Sequence, residues 1–592
     1  MTDSQSVENP VAELMELRTP IGFAFSIIAD SGSDQAFQRI STWLADCLAH
    51  HECNPMPEVY MPNRLLDLES RIADGRAVLV NFTNPVAQPA APYACLGYCW
   101  GTDLDNNVKT LKANFKHHQD VLVCQRLGIR YLWVDALCII QDDEEDWKNE
   151  SMRMCDIYSR SHITIAAHRA ESCKQGFLGK QEFAQQTFHL EFSTNFGELV
   201  KGANPKTMII RRHLPRDSNS SKEDRTPLQR RGWTLQGTIM PSRIVHFTKN
   251  ELAWECNSRH FCECGHVQGL CNQVTVWPMD KTAIILDYGY LLESKDSTLA
   301  GYSWMKLVEI YSQRKLTLLS DKLMAIFGVA QSIRAGIPGN MDSRYVGGIF
   351  TMALPRQLLW RVGDTKEPYP STRPFPGRLP TWPWASVNSP IGFVAMFADS
   401  EEVYVETEVY QANSVRLGDE LLLKGMALPV KVMTVECGLG HPGPSRCGLR
   451  PLTGYGKIEF ERMCRRTMVR TSEGHKIEVI CDTERDVELL ACQDGWDCWQ
   501  IDESNTHKCD RCQTGTWDPD GNYYTVKVAG YCFRLIGWKG YILLLQRSEI
   551  VPGVWERLGL AEMKLSFPAT RSPSPSWWRW FRDVETKEFK II

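Results

Sequence analysis

The chain has 592 residues, 43% hydrophobic and 23% charged, the composition of an ordinary globular protein spread over about three domains or lobes. A formal net charge of −5 gives no overall attraction for nucleic acid, and no segment approaches the roughly 20 apolar residues of a membrane span. The opening MTDSQSVENP lacks the basic-then-apolar layout of a secretion signal, so a cytoplasmic protein is expected, with most of its 21 cysteines reduced and buried.

Residues 1–89 read as a helical lead-in. Apolar residues at helical spacing predict a helix over Phe37–Leu48, broken by Pro55 and Pro57, and Val78-Leu-Val80 reads as a short strand. Tyr93–Gly101 reads as a buried strand ending in a glycine turn. A helix over Asn107–Leu127 leads into the apolar run Tyr131–Ile140, and Ile163–Ala167 gives a third strand. Strand, helix, strand, helix, strand is the order of an α/β protein with a doubly wound parallel sheet.

The sharpest local feature follows the Tyr131 strand. Asp142, with Glu145 three residues on, reads as a helix cap in an acidic first turn. Along that helix Trp147, Glu150, Met154, Ile157 and Tyr158 share one side, so Glu150 lies in an apolar stripe. A carboxylate there needs a partner or a task. Parallel sheets bind ligands at the carboxyl ends of their strands, where this strand-to-helix turn would lie.

Residues 213–230 are polar and read as an exposed loop ahead of Trp233-Thr-Leu-Gln236 and a strand near Arg243–Phe247. A helix pair is expected over Trp304–Ile333. After Trp382-Pro-Trp-Ala-Ser386 the pattern turns to short alternating strands, at Glu402–Glu408, Glu420–Lys424, Tyr524–Ala529 and Tyr541–Leu545. The divisions expected are therefore 1–89, an α/β domain at 90–260, a helical middle at 261–375 and a β-rich lobe at 376–592.

These blocks resemble the fungal heterokaryon incompatibility (HET) domain family. The family's Tyr-x-x-Leu-Ser-Tyr-x-Trp-Gly block stands here as Tyr93–Gly101. Its central Leu-Gly block, running into Asp-Trp-x-x-Glu, is Leu127–Glu150, and its Trp-Thr-x-Gln-Glu end is Trp233–Gln236. The flanks Trp43, Cys47, His51 and Cys53, with Leu252–Cys256, Ser320–Leu323 and Trp382–Ser386, extend the likeness along the chain. Gly97 stands where the pattern has Ser, Gly237 where it has Glu, and the stretch between Ala113 and Cys124 is shorter than in relatives. The resemblance implies an effector of fungal allorecognition that promotes cell death when incompatible partners fuse. It implies a TIR/flavodoxin-like sheet, and a distant TIR likeness implies NAD as substrate, with no tightly bound cofactor. Protein partners or self-association are implied too.

On that reading Glu150 is the catalytic residue, a carboxylate beside the ribose C1 where positive charge builds during N-glycosidic cleavage. The plain alternative is a helix-start glutamate bonded to backbone N–H groups or a buried arginine. Asp135 would contact a ribose hydroxyl, or else pair structurally with Arg130, Arg153 or a loop donor. Tyr98 and Trp100 would stack on a ring or serve as core aromatics, and Trp233 with Gln236 would close the site or simply pack. Two Cys/His clusters, Cys256 to Cys271 and Cys492 to Cys512, each fall short of a full zinc set, so no metal is expected. The tail Pro575–Phe581 mixes tryptophans with an arginine, suiting a partner groove, a membrane interface or its own lobe.

Overall fold

A computed structural model of the chain describes residues 26–53, 60–69, 78–82, 91–101, 122–182, 187–191, 207–211, 225–264, 268–270, 297–336, 344–354, 356–362, 373 and 380–394. Beyond these it describes 402–403, 405–410, 420–429, 431–436, 465–470, 476–481, 523–533, 537–548, 551–566 and 586–591. Two units emerge, 1–286 and 287–592. Strands from the expected lead-in, 1–89, join the same sheet as the α/β domain.

Helix α1 (Asp34–His50) is longer than its apolar spacing suggested because Ser33 caps it, accepting the Ala36 N–H. It buries Ala36, Phe37, Ile40, Trp43, Leu44 and Cys47 along one face. Strands β1 (Arg64–Asp67) and β2 (Val78–Asn81) form a hairpin-like pair, followed by β3 (Tyr93–Gly97). Helix α2 (Leu122–Arg126) is the described part of the expected Asn107 helix; 102–121 lies outside the described residues. Next come β4 (Tyr131–Trp133), the short α3 (Asp135–Cys138), α4 (Glu144–Ser159) and β5 (Ile163–Ala166).

The apolar run Tyr131–Ile140 is therefore a three-residue strand and one helical turn, not one long strand. An apolar run fixes burial but not strand against helix, and here Asp135 opens the turn. The helix cap is likewise Asp143, accepting from the Glu145 and Asp146 N–H groups, rather than Asp142. After a separate strand pair, β6 (Thr187–Glu191) with β7 (Thr207–Arg211), the chain forms helix α5 (Thr234–Ile239). Strands β8 (Arg243–Phe247), β9 (Leu252–Cys256), β10 (Arg259–Cys262) and β11 (Gln268–Leu270) complete the unit.

The main sheet runs β11-β10-β9-β8-β5-β3-β4-β1-β2. Its centre, β8-β5-β3-β4, is parallel, while β1, β2, β9, β10 and β11 pair antiparallel. The fold is α/β, but the sheet is mixed rather than wholly parallel. Short connections such as Asn257–Ser258 between β9 and β10 leave no room for a crossover, so those strands must turn back. Leu132, Trp133, Ile163, Ile165 and Val245 are fully buried in the central strands. The Tyr158 ring meets Trp133 edge-on at 5.4 Å, seating α4 on the sheet.

In the second unit α6 (Ser297–Ser312) and α7 (Met324–Gly336) form the expected helix pair. Trp304 and Trp384 both donate their ring N–H to the Gly348 carbonyl, at 2.8 and 2.7 Å. Between 402 and 591 the described residues include a ten-stranded sheet in which Gly537–Arg547 pairs with both Tyr523–Phe533 and Trp555–Ser566. No described helix is long and apolar enough to cross a membrane.

Candidate functional site

The parallel strands first step from β3 out to β4 and then return to the other side of β3 for β5. At such a reversal the loops leaving neighbouring strands part, opening a crevice beyond their carboxyl ends. Residues 98–101 leave β3 there. Gly101 has φ +92°, and a Cβ on it would lie 2.7 Å from that of Ser172, so this turn requires glycine. Gly97 differs: a Cβ would meet only ordinary contacts, Ile165 O at 3.8 Å and Leu228 Cδ2 at 3.9 Å.

Trp100, half-buried, donates its ring N–H to both oxygens of Asp135 at 3.1 Å. The Ala136 N–H donates to Oδ1 at 2.6 Å, and Gln141 Nε2 ties the Asp135 and Ile139 carbonyls at 3.1 Å each. Asp135 is itself half-buried at the rim of the sheet. Burial pushes its carboxyl up to about 6, against the opposing pull of the hydrogen bonds from Trp100, Ala136 and Tyr98 and the charge of Arg231. Burial and the nearby Asp135 also drive the Tyr98 and Tyr158 phenols well above their ordinary range. Tyr98, Trp100 and Asp135 therefore form one cluster, and Arg231 joins it electrostatically.

Trp233 meets Trp147 of α4 edge-on at 5.7 Å. Gln236 is buried on α5, and Gly237 next to it lies under Tyr158, whose ring carbon would be 3.0 Å from an added Cβ. A glutamate at that position would displace the tyrosine.

Glu150 has a different neighbourhood. It is 1% exposed, on the α4 side that faces Asn63, with Arg153 three residues on along the same helix. Oε1 accepts from Asn63 Nδ2 at 2.6 Å and from Arg153 Nη1 at 3.3 Å; Oε2 is buried without a hydrogen bond among the described residues. Burial raises its pKa above the ordinary value, opposed by Arg153, Arg64 and the Asn63 hydrogen bond. Nearby Arg64, buried, reaches Asp146 with Nη2 at 2.8 and 2.6 Å and the Cys138 carbonyl with Nε at 2.5 Å. Asp146 also accepts the Ile140 N–H at 2.9 Å. These bonds lock the start of α4 to β1. Arg130 serves Asp67 and Arg153 serves Glu150, so neither is the Asp135 partner that the sequence suggested.

Arg231, Asn63 and Arg64 escaped the sequence reading. Arg231 carried a weak signal, the doubled arginine ahead of Gly232-Trp233; Asn63 and Arg64 carried none, being distant in sequence from the helix they hold.

Among the described residues, two groups of side chains could hold a metal ion. Cys47, His51, Cys53 and Cys256 form one, and Glu251, Cys262 and Cys264 the other. Cys256 thus turns away from Cys262 and Cys264, its expected cluster mates. His266, Cys271, the Cys492 to Cys512 cluster and the Pro575–Phe581 tail lie outside the described residues.

Residues 93–237, from the first residue of β3 into α5, match the family described as heterokaryon incompatibility protein (HET). No curated protein and no solved structure matches the chain.

Proposed function

We propose, from the heterokaryon incompatibility (HET) domain that residues 93–237 form, that this chain is an effector of vegetative incompatibility that promotes cell death in the cytoplasm. The proposal extends to chemistry: TIR-like cleavage of the N-glycosidic bond of NAD at the rim of the main sheet. The observation that carries it is Asp135. It is a half-buried carboxyl whose pKa is pushed up to about 6, set beside Tyr98, Trp100 and Arg231 where the parallel strand order reverses.

The reaction joins NAD and water and yields nicotinamide, ADP-ribose and a proton. Asp135, mostly ionised near neutral pH, would oppose the positive charge that gathers at the ribose C1 as nicotinamide departs. Half-buried Tyr98 and Trp100 offer ring faces, and Arg231 suits the diphosphate. Trp233, against Trp147, would border the same site. Glu150, shut from solvent with Oε1 held by Asn63 and Arg153, acts in this reading behind the site, fixing the start of α4.

Nicotinamide release from NAD by purified protein tests the assignment. Asp135→Asn is expected to lower the rate about a hundredfold or more, with Glu150→Gln near wild type. A loss confined to Glu150→Gln would move the role to that carboxylate. A second reading, a self-associating or partner-binding module without catalysis, draws on the structural donors that already occupy both Asp135 oxygens. Undiminished killing by folded Asp135→Asn and Glu150→Gln proteins, with no nicotinamide release by wild type, would favour it.

A further inference from the structure

Away from that rim, four metal-ligating side chains from distant stretches of sequence converge inside the first unit. Cys47 lies in the last turn of α1, His51 and Cys53 just beyond it, and Cys256 ends β9. Their three Sγ atoms and a ring nitrogen all lie within 4.8 Å of one another. The three cysteines are fully buried, and the His51 side chain is 5% exposed. We propose that Cys47, His51, Cys53 and Cys256 bind one structural zinc ion that clamps α1 to β9.

The donor set fits the ion. Zinc takes Cys and His in closed tetrahedral sites, with Zn–S about 2.3 Å and Zn–N about 2.0–2.1 Å, which sets donors roughly 3.5–3.8 Å apart. Cys256 Sγ stands 3.4 Å from His51 Nδ1, just inside that spacing. Three thiolates and an imidazole favour a soft or borderline metal over magnesium or calcium. Four protein donors leave no open position, so the site is structural rather than catalytic.

The surroundings have the features of an outer ligand shell. Arg243 Nε donates to Cys47 Sγ at 3.3 Å, the Arg259 N–H donates to Cys256 Sγ at 3.3 Å, and Ser258 Oγ lies 3.2 Å from Cys53 Sγ. His51 Nε2 faces Asp46 Oδ2 at 3.9 Å, which puts a carboxylate on the side of the ring away from Nδ1. A divalent ion with three thiolates and a neutral imidazole has one net negative charge. The guanidinium of fully buried Arg243 matches it, which gives that cation a reason to be there. Loading displaces three thiol protons to solvent and changes no oxidation state. A disulfide would consume two of the thiols and leave the third, with His51, unexplained. The Glu251, Cys262 and Cys264 group offers three donors, and Cys264 already bonds to Glu251 through its N–H and Sγ.

The test uses the full chain. Wild type and Cys256→Ser proteins from zinc-supplemented growth are desalted, and zinc per chain and free thiols are measured. Cys256→Ser should hold one zinc fewer than wild type, while Cys262→Ser keeps the wild-type content. Cobalt exchange gives a readout that does not need Cys256→Ser to fold. His51→Cys should retain the metal and shift the visible cobalt bands from those of a site with three sulfurs and one nitrogen toward those of an all-sulfur site. Equal zinc in wild type and Cys256→Ser, cobalt bands unmoved by His51→Cys, or a disulfide among Cys47, Cys53 and Cys256 would each overturn the proposal.

Discussion

Asp135 carries a proton more readily in the folded chain than in the unfolded one, its carboxyl moving from 3.8 up to about 6 because the site is partly desolvated. The sign of the linkage follows. Below about 4 both states are protonated and the group costs nothing. Between about 4 and 6 the unfolded chain gives up this proton while the folded carboxyl keeps it, so stability falls across that window and levels off above it. Asp135→Asn keeps an oxygen for the Trp100 N–H but cannot ionise. Its melting temperature relative to wild type is therefore expected to climb between pH 4 and pH 7; a difference that stays flat over that range would mean Asp135 is not desolvated. Two glycines make a second residue-scale contrast. Gly237→Ala must push the Tyr158 ring, 3.0 Å from the new Cβ, and should cost about 1–3 kcal/mol in urea unfolding. Gly97→Ala meets nothing closer than 3.8 Å, and loses chain entropy in the unfolded state, so it should be neutral or stabilising by about 0.4–1 kcal/mol. The sequence pattern marked both as departures from the family; only the space around each tells them apart.

At the scale of elements, α4 shows what one amphipathic reading can and cannot supply. Its buried side, with Glu150 among Met154, Ile157 and Tyr158, was legible from spacing alone, because residues three and four apart share a helix face. Its first residue was not, since Asp142 and Asp143 are equally good caps until the preceding chain is placed. The partners of Glu150 were hidden for a different reason. Asn63 lies 87 residues away, and no local pattern reports a contact of that range. Glu150→Ala would remove an acceptor from Asn63, an exposed residue, and from Arg153, 32% exposed, and both can turn to water. The expected loss is that of the hydrogen bond alone, about 0.5–1.5 kcal/mol by chemical denaturation. Glu150→Gln, which keeps an acceptor for Asn63, should lose less. Equal losses for both variants would mean that the charge, not the hydrogen bond, holds the start of α4.

For the molecule as a whole, the chain order of strands and helices was enough to reach an α/β fold and the centre of its sheet, because Tyr93, Tyr131 and Ile163 each open an apolar run flanked by turns. The antiparallel edges were only partly legible: Val78–Val80 reads as a strand, but nothing local places β1 or tells that the pair joins the sheet beyond β4. Cysteine spacing was actively misleading. Cys256, Cys262 and Cys264 are neighbours in sequence, yet the β9 to β10 hairpin separates Cys256 from the other two and brings it to α1. That placement has a thermodynamic consequence for the unit 1–286 alone. A ligand bound only by the folded state stabilises it by about 2.7 kcal/mol when free zinc is a hundredfold above its dissociation constant. Removing zinc with a strong chelator should therefore lower the melting transition that carries the α1 and main-sheet signal. The transition of the unit 287–592, which shares none of the four ligands, should stay where it was. Calorimetry with and without chelator, followed by zinc restoration, reads both at once. The lost stability should return with zinc in the wild type and fail to return in Cys256→Ser, because a clamp between a helix and a strand some 200 residues apart in sequence acts only when all its donors are present.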